Sequence, residues 1–287
     1  MELEKYLRKR YSPETVKVYM RGIEAYRGSV PDPEGATYGD ITAYLGILRK
    51  RYTNPATLNR TLSAIKAYHA YLVHTGRRGD DPARSVLLRD KRNRDVQLQD
   101  LLTKKELEEL LKKGERYHLL TIRNRVLMSL LVHQAPTPSE MERLNVADVL
   151  LKAGKVSLGP TTRTDHRELE LRPDQVMLLY EYLHETRPRL LKGGTSERLL
   201  IGTRGNPMAR EDITKHVKRR GKEVFGDKRV NATVIRQSVI ANLLRAGHDL
   251  RRVQFFAGHK YPSTTEKYRG TDSERLKAEV ERYHPMG

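Results

Sequence analysis

Apolar residues recur at helical spacing through most of the chain. Val16, Tyr19, Met20 and Ile23 follow Ser12-Pro13-Glu14-Thr15, a hydroxyl N-cap with proline at the first helical position, and predict a helix running to about Tyr26. The Pro- and Gly-rich stretch 30–37 reads as a loop, after which Ile41, Tyr44, Leu45 and Leu48 mark a second helix ending on Arg49-Lys50-Arg51. Asn54-Pro55 opens a third, whose stripe of Leu58, Leu62, Ile65, Tyr68 and Leu72 is closed by Gly76. Residues 1–90 therefore predict a small all-helical domain. The basic stretch Arg84–Asp95 reads as a connection, with 91–100 as the linker between domains.

From residue 101 the pattern restarts. Thr103 and Glu106 form a capping box ahead of Leu107, Leu110 and Leu111, and the segment Arg125–His133 is apolar enough for a core helix. Ser139-Glu140 restart a short helix that ends near Leu144. Lys155–Leu158 and Glu168–Leu171 alternate apolar and polar positions across a hinge at Gly159–Arg167, which predicts an antiparallel pair and two strands at most. Helices follow at 173–186, 209–224, 233–245 and, as a short tail, 273–283. The expected fold class is mainly α: a helical N-terminal domain, then an α-rich domain at 101–287 with a small antiparallel β-sheet.

Charge adds a partner class. The 287 residues carry 55 Lys+Arg against 36 Asp+Glu, a net charge of +19, with 19 basic and 12 acidic residues in 1–100 and 36 against 24 in 101–287. Both halves are basic, a field that favours polyanions, above all nucleic acid. The absence of cysteine removes disulfides, thiolate zinc sites and cysteine nucleophiles. No H-E-x-x-H and no G-x-x-x-x-G-K-[ST] is present, so neither a zincin nor a P-loop nucleotide engine is supported, and no metal or cofactor is expected. The apolar run Val126–Val132 is far short of the ~20 residues that span a bilayer, and the N-terminus lacks an apolar signal core, so the expected location is the cytoplasm, with no membrane partner.

Candidate chemistry is densest near the C-terminus. Thr233-Val-Ile-Arg236-Gln-Ser-Val-Ile leads to Ala257-Gly258-His259 and then to Ser263-Thr264-Thr265-Glu-Lys-Tyr268, with Tyr268 nine residues after His259. This arrangement resembles the C-terminal signature of the tyrosine recombinases, the phage integrase family, in which a helix-borne arginine is followed by Gly-His and a nucleophilic tyrosine. Ser12…Thr15…Tyr19, Thr57–Leu72 and Asp81-Pro82-Ala83-Arg84 similarly resemble that family's SAM-like core-binding domain and its exit. The resemblance implies a catalytic domain at 101–287 and a nucleophile at Tyr268. Arg236 would clamp the phosphate, and His259 would donate to the same phosphate or steer the Tyr268 proton. It also implies double-stranded DNA as partner and a homotetramer on DNA assembled through the C-terminal helix. The two domains would close on the duplex mainly through phosphate contacts.

The residue types fit the chemistry. Breaking a phosphodiester needs a nucleophile, a clamp for the growing negative charge and a proton for the leaving 5′ oxygen. A phosphotyrosyl ester conserves the bond energy for rejoining without ATP or metal. Three positions depart from the family. The first clamp arginine, two residues before Ser139-Glu140, is replaced by Thr137; the His or Lys three residues before Arg236 is replaced by Thr233; and the loop between the strands holds no lysine for the acid role. A branch of the family with a similar Ile-Arg-x-Ser-Val-Ile signature also lacks the first arginine. Arg163, His166, Arg167 and Arg143 are the candidate substitutes, with Arg123 and Arg125 nearby in sequence; of these His166 alone titrates near neutrality. The leading expectation is a site-specific recombinase or integrase acting through a 3′-phosphotyrosyl intermediate, and the alternative is a silent DNA-binding protein of the same fold.

Overall fold

The computed structural model describes residues 2–52, 54–88, 100–112 and 118–269, and divides the chain into two compact units, Met1–Arg94 and Asp95–Gly287. In the first unit, α1 (Glu2–Arg8), α2 (Pro13–Ser29), α3 (Tyr38–Arg51) and α4 (Pro55–His74) enclose one core. Ser12 caps α2 by accepting from Thr15 N, Thr37 and Asp40 form a reciprocal capping box on α3, and Asn54 caps α4. Leu7, Ile23, Tyr26, Ile41, Ile65 and Leu72 are buried where these helices meet. Helix α1 is not apparent from periodicity, because seven residues with Leu3, Tyr6 and Leu7 give too short a stripe. Ala83 and Val86 are buried in this same core, so the start of the basic stretch at Arg84 belongs to the helical unit. The linker expected at 91–100 lies, save Asp100, outside the described residues.

In the second unit, α5 (Lys104–Lys112) starts at the Thr103–Glu106 capping box and α6 (His118–His133) is buried along most of its length. After α7 (Pro138–Arg143) come β1 (Val149–Leu150), β2 (Lys155–Leu158) and β3 (Arg167–Glu170), antiparallel in the order β1-β2-β3, with Val156 opposite both Val149 and Leu169. The expected two strands become three: β1 is two residues long, too short for any alternation to register in the sequence. Then α8 (Pro173–Glu181) runs through a π-helical turn at Tyr182–Thr186 into α9 (Arg187–Leu191).

Helices α10 (Arg210–Phe225) and α11 (Ala232–Arg245) cover the core, and α12 (Leu250–Ala257) and α13 (Pro262–Glu266) follow. One cluster, including Leu127, Leu130, Val156, Ile213 and Ile235, holds α6, the sheet, α10 and α11 together. The tail helix expected at 273–283 lies outside the described residues.

Candidate active site

Three local stops bring the C-terminal signature together. Asn231 caps α11 through Val234 N, and the helix buries Ile235, Val239 and Ile240, which leaves the Arg236 guanidinium inside the unit at 8% exposure. Gly247, at φ +84°, ends α11, and Asp249 caps α12 by accepting from Arg251 N and Arg252 N. Gly258 then takes φ +65° and turns the chain so that His259 pairs with Thr164 of the β2–β3 hairpin while Asp165 N donates to Gly258 O at 2.9 Å. A Cβ on Gly258 would sit 2.6 Å from Arg167 Nη1 and 3.0 Å from Asp165 O, so this position needs glycine both for its conformation and for the space.

Arg236 donates through Nη1 to Ala135 O and through Nη2 to Ala257 O, which fixes the guanidinium between the loop before α7 and the end of α12. Burial is the main cause that lowers its pKa to about 10, and the neighbouring Arg167 charge adds to this; it remains charged at neutral pH. His259 Nδ1 lies 2.9 Å from Thr265 Oγ1, and its backbone is held by Gln254 at both N and O. Burial, followed by the Arg236 and Arg167 charges, pushes His259 down to about 4, so the imidazole is neutral at pH 7. The Tyr268 ring is nearly parallel to that of His259, with centroids 6.1 Å apart, and packs against Ile240, Val253 and Ala257. Tyr268 also bears electrostatically on Arg236. Arg236, His259 and Tyr268 therefore share one locus.

The positions that depart from the family separate in space. Thr137 is the N-cap of α7, in a capping box with Glu140. Glu140 is buried and accepts from Arg167 Nη1 at 2.7 Å, Thr164 Oγ1 at 2.6 Å and Thr137 N at 2.7 Å. Burial alone would raise its pKa, but the Arg167 hydrogen bond and charge, with Thr164 and Thr137, hold the carboxyl below its usual range. Arg167 is consequently committed: its side chain is fully buried and paired with Glu140. Arg163 is exposed at the hairpin tip. His166, bonded to Ser157 Oγ at 2.9 Å, lines a cleft of about 180 Å³ together with His259, Arg251 and Phe255.

Arg143 is exposed at the far end of α7 from Thr137, a rise of roughly 9 Å over six residues. Arg123 is buried on α6, bonded to Asn124 Oδ1 and Ile201 O, and lines a cavity of about 620 Å³ with Arg219; Arg125 is exposed. Thr233 is exposed and lines a groove of about 940 Å³ that also takes in Pro138, Lys218 and Lys222, the two lysines one turn apart on α10.

Sequence reasoning did not single out Glu140, Thr164, Thr265, Lys218 or Lys222. A capping-box glutamate reads as exposed, and two threonines carry no periodic signal; only their tertiary neighbours give them a role. Among the described residues, no group of three or more His, Cys, Asp or Glu side chains could hold a metal ion. Among the described residues, no helix is long and apolar enough to cross a membrane.

A helical unit followed by an α-rich unit that gathers an arginine, a Gly-His pair and a tyrosine beneath a small hairpin is the organisation of a DNA strand-breaking and rejoining protein. The chain belongs to the phage integrase family, whose model matches residues 100–275, while the model for the phage integrase N-terminal SAM-like domain matches residues 2–76. It is 29% identical over 282 residues to the tyrosine recombinase XerD of Oceanobacillus iheyensis, covering 96% of this chain and 93% of that one. Against XerD of Staphylococcus aureus the identity is 27% over 294 residues, covering 99% and 98%.

Two solved structures share the fold. The Tn1549 transposon integrase in complex with transposon right end DNA matches with TM-score 0.70 at 15% identity, covering 97% of this chain and 98% of that one. A lambda integrase dimer bound to a COC′ core site matches with TM-score 0.70 at 18% identity, covering 93% and 92%.

Proposed function

We propose that this protein is a site-specific recombinase that cleaves duplex DNA and rejoins it through a 3′-phosphotyrosyl intermediate. The observation that carries the reading is the convergence of buried Arg236 and His259 with half-buried Tyr268 at one locus, from α11, the end of α12 and the turn after α13. Tyr268 Oη attacks the scissile phosphorus as its phenolic proton passes to solvent, the bond from phosphorus to the 5′ oxygen breaks, and the 5′ strand leaves as a hydroxyl. Arg236 keeps part of its five-donor fork for a non-bridging phosphate oxygen while two N–H groups stay on carbonyls. His166 supplies the proton to the leaving oxygen; it shares a cleft with His259. Arg163, exposed at the hairpin tip, contacts a flanking phosphate.

Lys218 and Lys222 bring positive charge to the groove that Thr233 lines, where the family carries a His or Lys. Double-stranded DNA is the partner, gripped by both basic units, with function in the cytoplasm and assembly as a homotetramer on DNA through residues 273–283. No metal or nucleotide takes part. The test is incubation of the full chain with a library of nicked suicide duplexes in EDTA without ATP, followed by isolation of covalent protein–DNA adducts. Wild type forms adducts and Tyr268→Phe forms none. Adducts that persist in Tyr268→Phe would move the nucleophile, with Tyr261 next to replace, and tight binding without adducts would refute the enzyme reading.

A further inference from the structure

We propose that Thr265 is a positioning residue: its buried hydroxyl donates to Nδ1 of His259, holds the imidazole with its proton on Nε2, and so presents His259 to DNA as a hydrogen-bond donor. This inference rests on the recombinase reading for its consequence and on geometry for its substance.

Thr265 is fully buried, and among the described residues the one hydrogen-bond partner of its hydroxyl is His259 Nδ1, at 2.9 Å. A helical threonine ordinarily donates to the carbonyl four residues back, as Thr61 does to Thr57 O and Thr214 to Arg210 O in this chain. Thr265 does not: α13 begins at Pro262, and Tyr261 O receives Thr264 N instead. The hydroxyl has one proton to give, and among the described residues His259 Nδ1 is the acceptor it meets. If Nδ1 carried the proton and donated to Oγ1, the proton of this fully buried hydroxyl would be left without an acceptor among the described residues, a costly arrangement. Nδ1 therefore accepts and the neutral ring carries its proton on Nε2. Among the described residues, nothing is bonded to Nε2, which leaves that donor free for a ligand oxygen.

The same residue reaches the nucleophile. Thr265 O accepts from Tyr268 N at 3.0 Å, so one buried threonine sets the imidazole and anchors the backbone of the tyrosine stacked beside it. The His259 main chain is already pinned by Gln254 and by the Thr164 pairing, which leaves ring rotation and tautomer as the freedoms that Thr265 removes. His259 and Tyr268 share a ring contact and no hydrogen bond, in keeping with an imidazole whose outward nitrogen serves the phosphate.

Two readouts on the full chain test this. With ¹⁵N-histidine labelling and long-range ¹H–¹⁵N spectra, assigned through loss of the signal in His259→Gln, wild type and Thr265→Ser show a protonated Nε2 and an unprotonated Nδ1, whereas Thr265→Val shows both tautomers. In single-turnover cleavage of a suicide duplex, Thr265→Val slows the step roughly 10–100-fold at unchanged DNA affinity, and Thr265→Ser restores it to within about threefold of wild type. A protonated Nδ1 in the wild-type spectrum overturns the proposal. So does wild-type cleavage by folded Thr265→Val, or a Thr265→Ser defect as large as that of Thr265→Val. If Thr265→Val does not fold, the wild-type spectrum and Thr265→Ser decide. If wild type forms no adduct, the recombinase reading fails while the spectra still measure the tautomer.

Discussion

Gly258→Ala should damage this protein in two separable ways. Gly258 has φ +65°, and an added Cβ would lie 2.6 Å from Arg167 Nη1, 3.1 Å from Arg167 Cδ and 3.0 Å from Asp165 O. The first cost is the left-handed backbone, about 1–2 kcal/mol for an L-residue with a side chain. The second is displacement of Arg167, whose guanidinium is fully buried and paired with Glu140, so it has no room to retreat; overpacking of this kind adds about 1–3 kcal/mol.

Gly154→Ala isolates the first cost. Gly154 has nearly the same angle, φ +61°, lies in the same unit and has nothing within 4 Å of the added Cβ. In scanning calorimetry, Gly154→Ala should lower the melting temperature of the catalytic unit by roughly 2–8 °C, and Gly258→Ala by roughly 2–12 °C more. Gly258→Ala should also lose DNA cleavage beyond what its unfolding explains, because Gly258 precedes His259 and its carbonyl holds Asp165 N. Equal melting temperatures for the two variants would refute the claim that close contact with Arg167 dictates glycine at this position.

Arg236→Lys keeps the charge but not the fork that spans Ala135 O and Ala257 O; single-turnover cleavage should fall roughly 10²–10³-fold, and a drop under tenfold would argue against a bidentate clamp. His259 and His216 are each pushed down to about 4, mainly by burial, against about 6.5 in the unfolded chain. Between those values the unfolded chain binds more protons, so stability is full above about pH 6.5 and falls toward pH 4, by up to about 3 kcal/mol for each group. His216→Gln should flatten part of that slope in pH-dependent melting, and an unchanged slope would count against it. Thr137→Ala removes the side-chain cap of a six-residue helix and should cost about 1 kcal/mol, read as a melting shift of roughly 2–4 °C. Lys218→Ala with Lys222→Ala should weaken DNA binding for all sequences and reduce the log K against log salt slope by about 2; an unchanged slope would remove these lysines from the phosphate contacts.

Much of the architecture was legible because its signals are local. Ser12, Asn54 and Thr103 sit at helix starts that caps and apolar spacing mark, and the β2–β3 alternation survives in the structure, whereas the caps at Thr37 and Asn231 emerge only from the fold. Helices α12 and α13 were not legible: eight and five residues give no reliable period, and their ends are set by Asp249, Gly258 and Pro262. The nine-residue interval from His259 to Tyr268 was visible as spacing, but that these two rings stack was not.

The sequence by itself determined that the chain is basic in both halves, free of cysteine and mainly helical, and that it carries the Arg236, Gly258-His259 and Tyr268 signature of the phage integrase family. Tertiary structure alone decided what the remaining charges do. Arg167 looked like a spare phosphate ligand until Glu140, 27 residues away in sequence, proved to hold it in a buried ion pair. Thr265 looked like one of two adjacent threonines until its hydroxyl met His259. Charge and spacing are written locally in the chain, whereas burial and the choice of hydrogen-bond partner arise only when distant segments close on one another. The +19 surplus therefore drew the outline of a DNA-binding protein, and packing sorted its arginines into buried ones such as Arg167 and Arg236 and exposed ones such as Arg143 and Arg163.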